Sequence, residues 1–171
     1  ADIKLIIREP VLVLFMVLPA FIFGILKLAV VFLLPFVYNI TGIDISPYYG
    51  YILAVSLLMT PGMLGTVAGF IMIDERDDKI YELMSITPAG YSGYITNRLL
   101  IPFFGSIIYT FIGYCILGIY PMSVSSLLYS GVLLGVQGVT IGLLLFVMAD
   151  DKVKGLTYAK ALNGFIALAL V

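Results

Sequence analysis

Four stretches of almost uninterrupted apolar residues determine most of what this chain can fold into. They cover about residues 11–38, 51–73, 99–119 and 126–149, and a fifth stretch begins near Leu156. A helix needs about 20 mostly apolar residues to cross the hydrocarbon core of a bilayer, and each of the four is long enough. The sequence therefore predicts an all-α, polytopic membrane helix bundle with four complete spans and a truncated fifth.

The composition excludes several classes of protein. Of the 171 residues, 62% are hydrophobic and 11% are charged, where soluble proteins carry about 25% charged residues. The chain has no histidine, which removes His-based catalytic triads, HExxH zinc sites and haem ligation by histidine. Cys115 is the single cysteine, so neither a disulfide nor a cysteine-rich metal site is expected. The net charge of −1 favours no nucleic-acid partner; the expected surrounding is the lipid bilayer.

The two ends of the chain carry weaker patterns. The chain starts at Ala1 and stops at Val171 inside an apolar run, so we expect residues 1–171 to be a single transmembrane domain and a fragment of a longer chain. Residues 1–10 place isoleucines at helical spacing, which predicts either a short interfacial helix or the frayed start of the first span. That span is long for one crossing, and Pro19 and Pro35 are expected to bend or end it.

The positive charges alternate along the chain and predict its orientation. The loops after the first and third spans contain no lysine or arginine, and Asp44 is the one charged residue between 39 and 50. The other connections contain all the remaining basic residues outside the spans. They are Lys4, Arg8, Arg76, Lys79, Arg98, Lys152, Lys154 and Lys160. We therefore expect an inner-membrane protein with a cytoplasmic N-terminus.

One segment of the chain is strongly charged, since seven of the 19 charges fall within residues 74–82. Asp77 and Asp78 are suited to the N-cap and first turn of a short helix, and Glu75 and Lys79 have i, i+4 spacing. An apolar stripe follows, and Pro88 ends it. The prediction is a cytoplasmic loop over residues 74–98 with a short amphipathic helix, either a solvated hairpin or a docking element for a partner.

Residues of this loop resemble those of one transporter family. The run Asp74–Asp78, followed by Leu83, Thr87-Pro88, Tyr94 and Arg98, resembles the loop between the second and third spans of type-2 ABC transporter permeases, closest to the fluoroquinolone-export permease-like subgroup. Many members of the family have Gly-Thr where this chain has Lys79-Ile80.

The resemblance implies a six-span parent, a second permease copy, identical or related, and a separate ATP-binding cassette subunit that holds ATP and Mg²⁺. The amphipathic helix would be the coupling helix that rests on that subunit. Its expected contact residues in this chain are Asp77, Asp78, Lys79, Tyr81, Glu82, Ser85 and Thr87.

Each of the polar and small residues singled out inside the spans allows two interpretations of its role. Lys27 either extends its amine to the headgroups or lines a transport pathway, and Gln137 either bonds a neighbouring helix or contacts substrate. Pro61-Gly62 is either a hinge or a static kink. A glycine face on the fourth span predicts close helix packing, with lining of a cavity as the alternative. Its members are Gly131, Gly135, Gly138 and Gly142.

These features favour the permease subunit of an ATP-driven exporter that moves an apolar or amphipathic molecule such as a drug or a lipid. The chain has no P-loop and no enzyme constellation, so we expect a transport subunit without its own ATPase site. The alternatives are a self-contained secondary carrier or channel, which needs buried ionisable residues in several spans, and a membrane scaffold or sensor.

Overall fold

The structure is a computed structural model that describes residues 10–42, 44–80 and 90–168. All regular structure in these ranges is helical, which confirms the predicted all-α membrane bundle. A π-helical turn, Ala29–Leu33, joins α1 to α2, and a short 3₁₀ turn, Ser46–Tyr48, precedes α3. The α-helices of the described residues are α1 (Pro10–Leu28), α2 (Leu34–Thr41), α3 (Tyr49–Asp77), α4 (Gly90–Leu117), α5 (Val124–Met148) and α6 (Lys152–Leu168).

Within the described ranges, four continuous helical segments are long and apolar enough to cross a membrane. They are Val13–Thr41, Ser46–Asp77, Gly90–Leu117 and Val124–Met148. Helix α6 begins at Lys152, one turn before the predicted start near Leu156. The predicted interfacial helix of residues 1–10 lies almost entirely outside the described residues.

The first span is continuous, so neither proline ends it. Pro19 lies inside α1, and Pro35 lies in the first turn of α2. The π-helical turn directly before Pro35 widens the helix where the proline ring would otherwise clash with the carbonyl of Val31. The helix finally ends at Gly42, whose φ of 71° is a left-handed conformation that glycine adopts at no steric cost.

Helix α3 is the centre of the bundle, with α1, α4, α5 and α6 packed around it. From Thr60 to Ile73 nearly every residue of α3 is buried, which suits a central helix that has no polar face. Helix α1 is peripheral. Phe23 is its main buried anchor, packed with Leu53, Leu57 and Leu117. Five other large apolar side chains of α1 are more than half exposed, as those of a lipid-facing helix are: Leu14, Val17, Phe21, Ile25 and Leu28.

The glycine face of α5 lies where three helices approach one another. A Cβ on Gly135 would meet the Phe103 ring of α4 at 2.9 Å, and one on Gly131 would touch Ile107. A Cβ on Gly138 would meet Pro102 and Ser106 of α4 at 3.2–3.3 Å, and one on Gly142 would meet the Gly65 carbonyl of α3 at 3.2 Å. The buried surface of these glycines is therefore occupied by α3 and α4, and none of the four lines the groove described below.

Five of the six exposed tyrosines among the described residues collect at one end of the bundle, and Tyr91 lies at the other. Tyr38, Tyr48, Tyr51, Tyr120 and Tyr129 all lie near the α2–α3 and α4–α5 connections, and each is about half exposed or more. Tyrosine is enriched where a membrane protein meets the headgroup region. The charged connections between α3 and α4 and between α5 and α6 lie at the opposite end.

Candidate functional site

The charged end of the bundle differs from the predicted loop because α3 continues into it. Asp77 is the last residue of α3, and Asp78 and Lys79 form the turn that follows. The Asp78 N–H donates to the Asp74 carbonyl at 2.9 Å, and the Lys79 N–H donates to the Arg76 carbonyl at 3.0 Å. Asp77 and Asp78 therefore terminate α3, and their predicted place in the first turn of the next helix was wrong.

Glu75 explains why the helix extends this far. Its side chain points inward and is buried, together with Tyr94 and Arg98 of α4. The Tyr94 hydroxyl donates to Glu75 Oε2 at 2.6 Å, Arg98 Nε donates to the same oxygen at 2.8 Å, and Arg98 Nη2 donates to Oε1. Glu75 therefore pairs with Arg98 rather than with Lys79, and the connection from α3 to α4 begins at Asp78. The amphipathic helix predicted in this connection lies almost entirely outside the described residues.

Arg76 turns to a different neighbour. Its Nη1 donates to the Phe146 carbonyl at 3.0 Å and its Nη2 to the Ala149 carbonyl, while its guanidinium carbon lies 5.4 Å from the centre of the Phe146 ring. Both carbonyls belong to the last turn of α5, whose final carbonyls have no donors within the helix. A cation at this end also interacts favourably with the helix dipole.

Two further ion pairs involve the connection between α5 and α6. Lys152 Nζ lies 2.9 Å from Asp74 Oδ1, which ties the start of α6 to α3. Lys154 donates to Asp150 at 2.6 Å within the connection itself. That hydrogen bond and the attraction of the two charges lower the pKa of Asp150 and raise the pKa of Lys154, but both side chains remain exposed.

The residues predicted to contact an ATP-binding subunit fall into two groups. Asp77, Asp78 and Lys79 are exposed and adjacent at the tip of α3, where a partner would have access to them. Lys79 has a φ of 56°, which turns the chain sharply away from the axis of α3. Tyr81, Glu82, Ser85 and Thr87 lie outside the described residues.

Lys27 lies at the other end of the bundle. Its amine donates to the Leu117 carbonyl at 2.5 Å, at the last turn of α4. The side chain is half-buried, and its nitrogen also lies close to Gly118, which has a left-handed φ of 55°. The structure thus assigns the Lys27 ammonium to the C-terminal end of a neighbouring helix.

Gln137 faces an open groove between the outer half of α3 and α5. The groove has a volume of about 370 Å³ and is mostly apolar. Among the described residues the Gln137 amide has no hydrogen-bond partner. The lining residues are Gly50, Leu53, Ala54, Leu57, Leu58, Tyr120, Met122, Ser130, Leu133, Leu134 and Gln137.

Pro61-Gly62 lies inside a helix that continues through it. Thr66 donates to the Gly62 carbonyl at 2.7 Å, the i−4 bond that a threonine hydroxyl commonly makes within a helix. Asn163 of α6 packs directly on Gly62 and bonds the Thr66 hydroxyl at 3.4 Å, a contact that a side chain at Gly62 would block. The dipeptide is thus the place where α6 docks on α3.

The side-chain hydrogen bonds made by Glu75, Arg76, Tyr94 and Arg98 were not predicted from the sequence. Tyr94 and Arg98 were noticed as parts of a motif, but no role was attached to them. The available signal was their position, because an acidic residue at the end of one span and a basic residue at the start of the next can meet when a short loop returns the chain. Their buried pairing depends on which faces of α3 and α4 touch, which the sequence alone does not specify.

This architecture is that of a multi-pass helical membrane protein with most of its described charged groups at one end, Lys27 and Asp44 lying at the other. The sequence matches, over residues 2–171, the family described as "Fluoroquinolones export permease protein Rv2686c-like", and the chain belongs to this family. It is a membrane transport permease, as the loop resemblance indicated.

Two relatives of this chain come from strains of Mycobacterium tuberculosis. They are the fluoroquinolones export permease protein Rv2686c of strain ATCC 25618 / H37Rv and the fluoroquinolones export permease protein MT2760 of strain CDC 1551 / Oshkosh. Each is 30% identical to this chain over 172 aligned residues, which cover 97% of this chain and 67% of the relative. No solved structure matches the chain.

Proposed function

We propose that this chain is the membrane-spanning permease subunit of an ATP-driven ABC exporter whose ATP-binding subunits are separate proteins. The observation that carries the proposal is the braced connection between α3 and α4. Two long spanning helices are locked together by the buried Glu75–Arg98 pair, which lies near the end of α3 and about two turns inside α4. A loop mounted in this way can receive a push from a partner and pass it to two spans.

The exposed tip at Asp77, Asp78 and Lys79, continued by Tyr81, Glu82, Ser85 and Thr87, would form the contact with the ATP-binding subunit. ATP and Mg²⁺ would be bound by that subunit, because this chain carries no P-loop. ATP can drive transport only if two conformations of the complex bind it with different affinity, because a ligand that binds both equally does not shift the equilibrium between them.

The orientation follows from the charge distribution over the folded bundle. Arg76, Lys79, Lys152 and Lys154 lie at one end, whereas Asp44 is exposed at the other. The end rich in lysine and arginine belongs to the cytoplasm. The proposal therefore places the protein in the cytoplasmic membrane with its N-terminus inside, in a complex of two permease copies, identical or related, and two ATP-binding subunits.

The groove beside Gln137 supports an apolar or amphipathic substrate. None of its lining residues is charged, and the amide offers one donor and one acceptor group to a molecule in an otherwise apolar site. The relatives are named as fluoroquinolone export permeases, so a fluoroquinolone is the first compound to use as a transport probe.

The test is co-purification of the full-length protein from its native membrane in mild detergent. The reversal Lys79→Glu with Glu82→Lys should abolish recovery of a stoichiometric ATP-binding subunit, because the charges at the contact no longer match. The control reverses the exposed pair of the α5–α6 connection, Asp150→Lys with Lys154→Glu, and should retain the partner. A permease that purifies alone in every form and in several detergents would contradict the proposal and favour a self-contained carrier.

A further inference from the structure

Three consecutive residues at the end of α3 bond to three different helices. Asp74 pairs with Lys152 of α6, Glu75 pairs with Arg98 and Tyr94 of α4, and Arg76 donates to the carbonyls of Phe146 and Ala149 at the end of α5. We call Asp74, Glu75 and Arg76 the α3 clamp.

Helical geometry explains how neighbours in sequence reach separate helices. Successive residues of an α-helix are turned by about 100°, so three in a row sweep about 200° of its circumference. Helix α3 is surrounded by other helices, and near its C-terminal end each of the three directions meets one of them. Among the described residues, the hydrogen bonds between α1 and another span lie elsewhere: the Tyr109 hydroxyl of α4 donates to the Met16 carbonyl, and Lys27 donates to the Leu117 carbonyl.

The clamp is also bonded to the loop. The backbone carbonyl of Asp74 accepts the N–H of Asp78, and that of Arg76 accepts the N–H of Lys79. Asp78 and Lys79, the first residues after α3, are thus bonded to the two clamp residues whose side chains hold α6 and α5. Hydrogen bonds and an ion pair therefore connect the exposed tip with α5 and α6, and the backbone of α3 connects it with Glu75 and so with α4.

We propose that the α3 clamp positions the start of the α3–α4 connection, at Asp78 and Lys79, and transmits its displacement to α4, α5 and α6 as one unit. The inference rests on the proposed function, and it adds that coupling does not pass through the two flanking spans alone. The buried hydrogen bonds of Glu75 are expected to be the strongest of the three contacts, and the half-buried Arg76 transmits the displacement to α5. The Asp74–Lys152 pair is expected to be the weakest, because its lysine is exposed.

Arg76→Gln is the most direct test. Because Arg76 is half-buried, its replacement leaves two carbonyls at the end of α5 within reach of water, and it leaves no charged group buried without a partner. The full-length protein and its ATP-binding subunit are reconstituted in liposomes, and fluoroquinolone moved per ATP hydrolysed is measured. Substitutions along a coupling network alter coupling by about 2- to 30-fold. We expect the amount of fluoroquinolone moved per ATP hydrolysed to fall by a factor in that range. Arg76→Lys, which keeps the charge but loses the planar fork, should fall in between.

The matched control is Lys160→Gln, which removes one exposed cation from α6 and should leave the ratio unchanged. A purely structural role of Arg76 would reduce the amount of folded protein and lower transport and hydrolysis together, without changing their ratio. An unchanged ratio in Arg76→Gln, with ATP-driven transport intact in the wild type, would overturn the inference and leave the proposed function standing. A wild type without ATP-driven transport would overturn the proposed function and, with it, the transmission role.

A second measurement needs no partner. In a Cys115→Ser background, spin labels at Asp77→Cys and Val153→Cys, both exposed positions, report the distance between the tip of α3 and the start of α6. Arg76→Gln should broaden the distribution of that distance relative to Lys160→Gln. Identical distributions would show that the clamp does not position the tip of α3.

Discussion

A buried carboxylate needs hydrogen-bond donors in place of water, and Glu75 has three from two residues of α4. Burying an ion pair is expensive, and exchanging both partners for apolar residues is often neutral. Removing one partner is different, because the remaining charge stays buried without compensation. The value of the pair to this protein is therefore a fixed register between α3 and α4 rather than a large gain in stability.

Glu75→Gln should consequently be among the most damaging single changes at the charged end. It leaves the Arg98 guanidinium buried without a counter-charge, and we expect a loss of about 3–5 kcal/mol in the free energy of unfolding. The measurement is thermal unfolding of the detergent-purified protein followed by far-UV circular dichroism.

Asp150→Asn is the control for this prediction, since it breaks an ion pair at the same end whose two side chains are 79% and 53% exposed. Exposed pairs contribute little to stability, so its transition should stay close to that of the wild type. Equal effects of Glu75→Gln and Asp150→Asn would show that the Glu75–Arg98 pair is not buried in the folded protein.

At the scale of the helices, glycines determine how closely α3 and α5 approach. Gly65 lies on the backbone of Gly138, and Gly69 lies on Leu145, whose side chain a Cβ would meet at 2.8 Å. Contacts between backbones leave no flexible group that could move aside. In a membrane such packing is a main source of helix association, because lipid is as apolar as the side chains.

Gly65→Ala should therefore weaken the bundle, whereas Gly24→Ala should not. A methyl group at position 65 is directed into the Gly138 carbonyl, while one at Gly24 of α1 meets nothing within 4 Å. Overpacking costs about 1–3 kcal/mol, which should appear as a lower unfolding temperature for the first variant alone. A stable Gly65→Ala protein would mean that α3 and α5 are farther apart than described.

The helices could be predicted from the sequence better than their ends. The four spans follow from runs of apolar residues, and their cores lie where the sequence indicates. The end of α3 does not lie where the sequence indicates, because local preferences favoured Asp77 and Asp78 as the start of a helix and Glu75 with Lys79 as an ion pair. The contact of Glu75 with Arg98, 23 residues away, outweighs those local preferences. No periodic pattern in the sequence indicates this contact.

The intramembrane polar residues show the same limit. The sequence indicated that Lys27 and Gln137 had unusual positions, but not what each would meet. Lys27 reaches a carbonyl 90 residues away at the end of α4, and Gln137 faces a groove formed with α3. The glycine face of α5 was more predictable, because spacing along one helix already defines a face.

The whole molecule is polarised along the expected membrane normal. Tyrosines mark one end, and the clamp, the loop and the lysines of the α5–α6 connection mark the other. This distribution predicts that Asp44 is outside the cell and that Asp78 is inside.

Cysteine accessibility tests this orientation. In a Cys115→Ser background of the full-length protein, a membrane-impermeant maleimide added to intact cells should label Asp44→Cys and not Asp78→Cys. After the cells are opened, both should react, because both positions are exposed. Labelling of Asp78→Cys alone in intact cells would reverse the orientation and place the loop where no ATP-binding subunit could reach it.

The central claim is that ATP hydrolysis by a separate subunit drives this permease. The most direct measurement is fluoroquinolone uptake into inside-out vesicles that contain the full-length protein and its co-purifying subunit. Uptake should require hydrolysable ATP, persist when an uncoupler abolishes the proton gradient, and fall with Lys79→Glu plus Glu82→Lys. Uptake that stops with the uncoupler while ATP is present would contradict the account and identify a self-contained carrier.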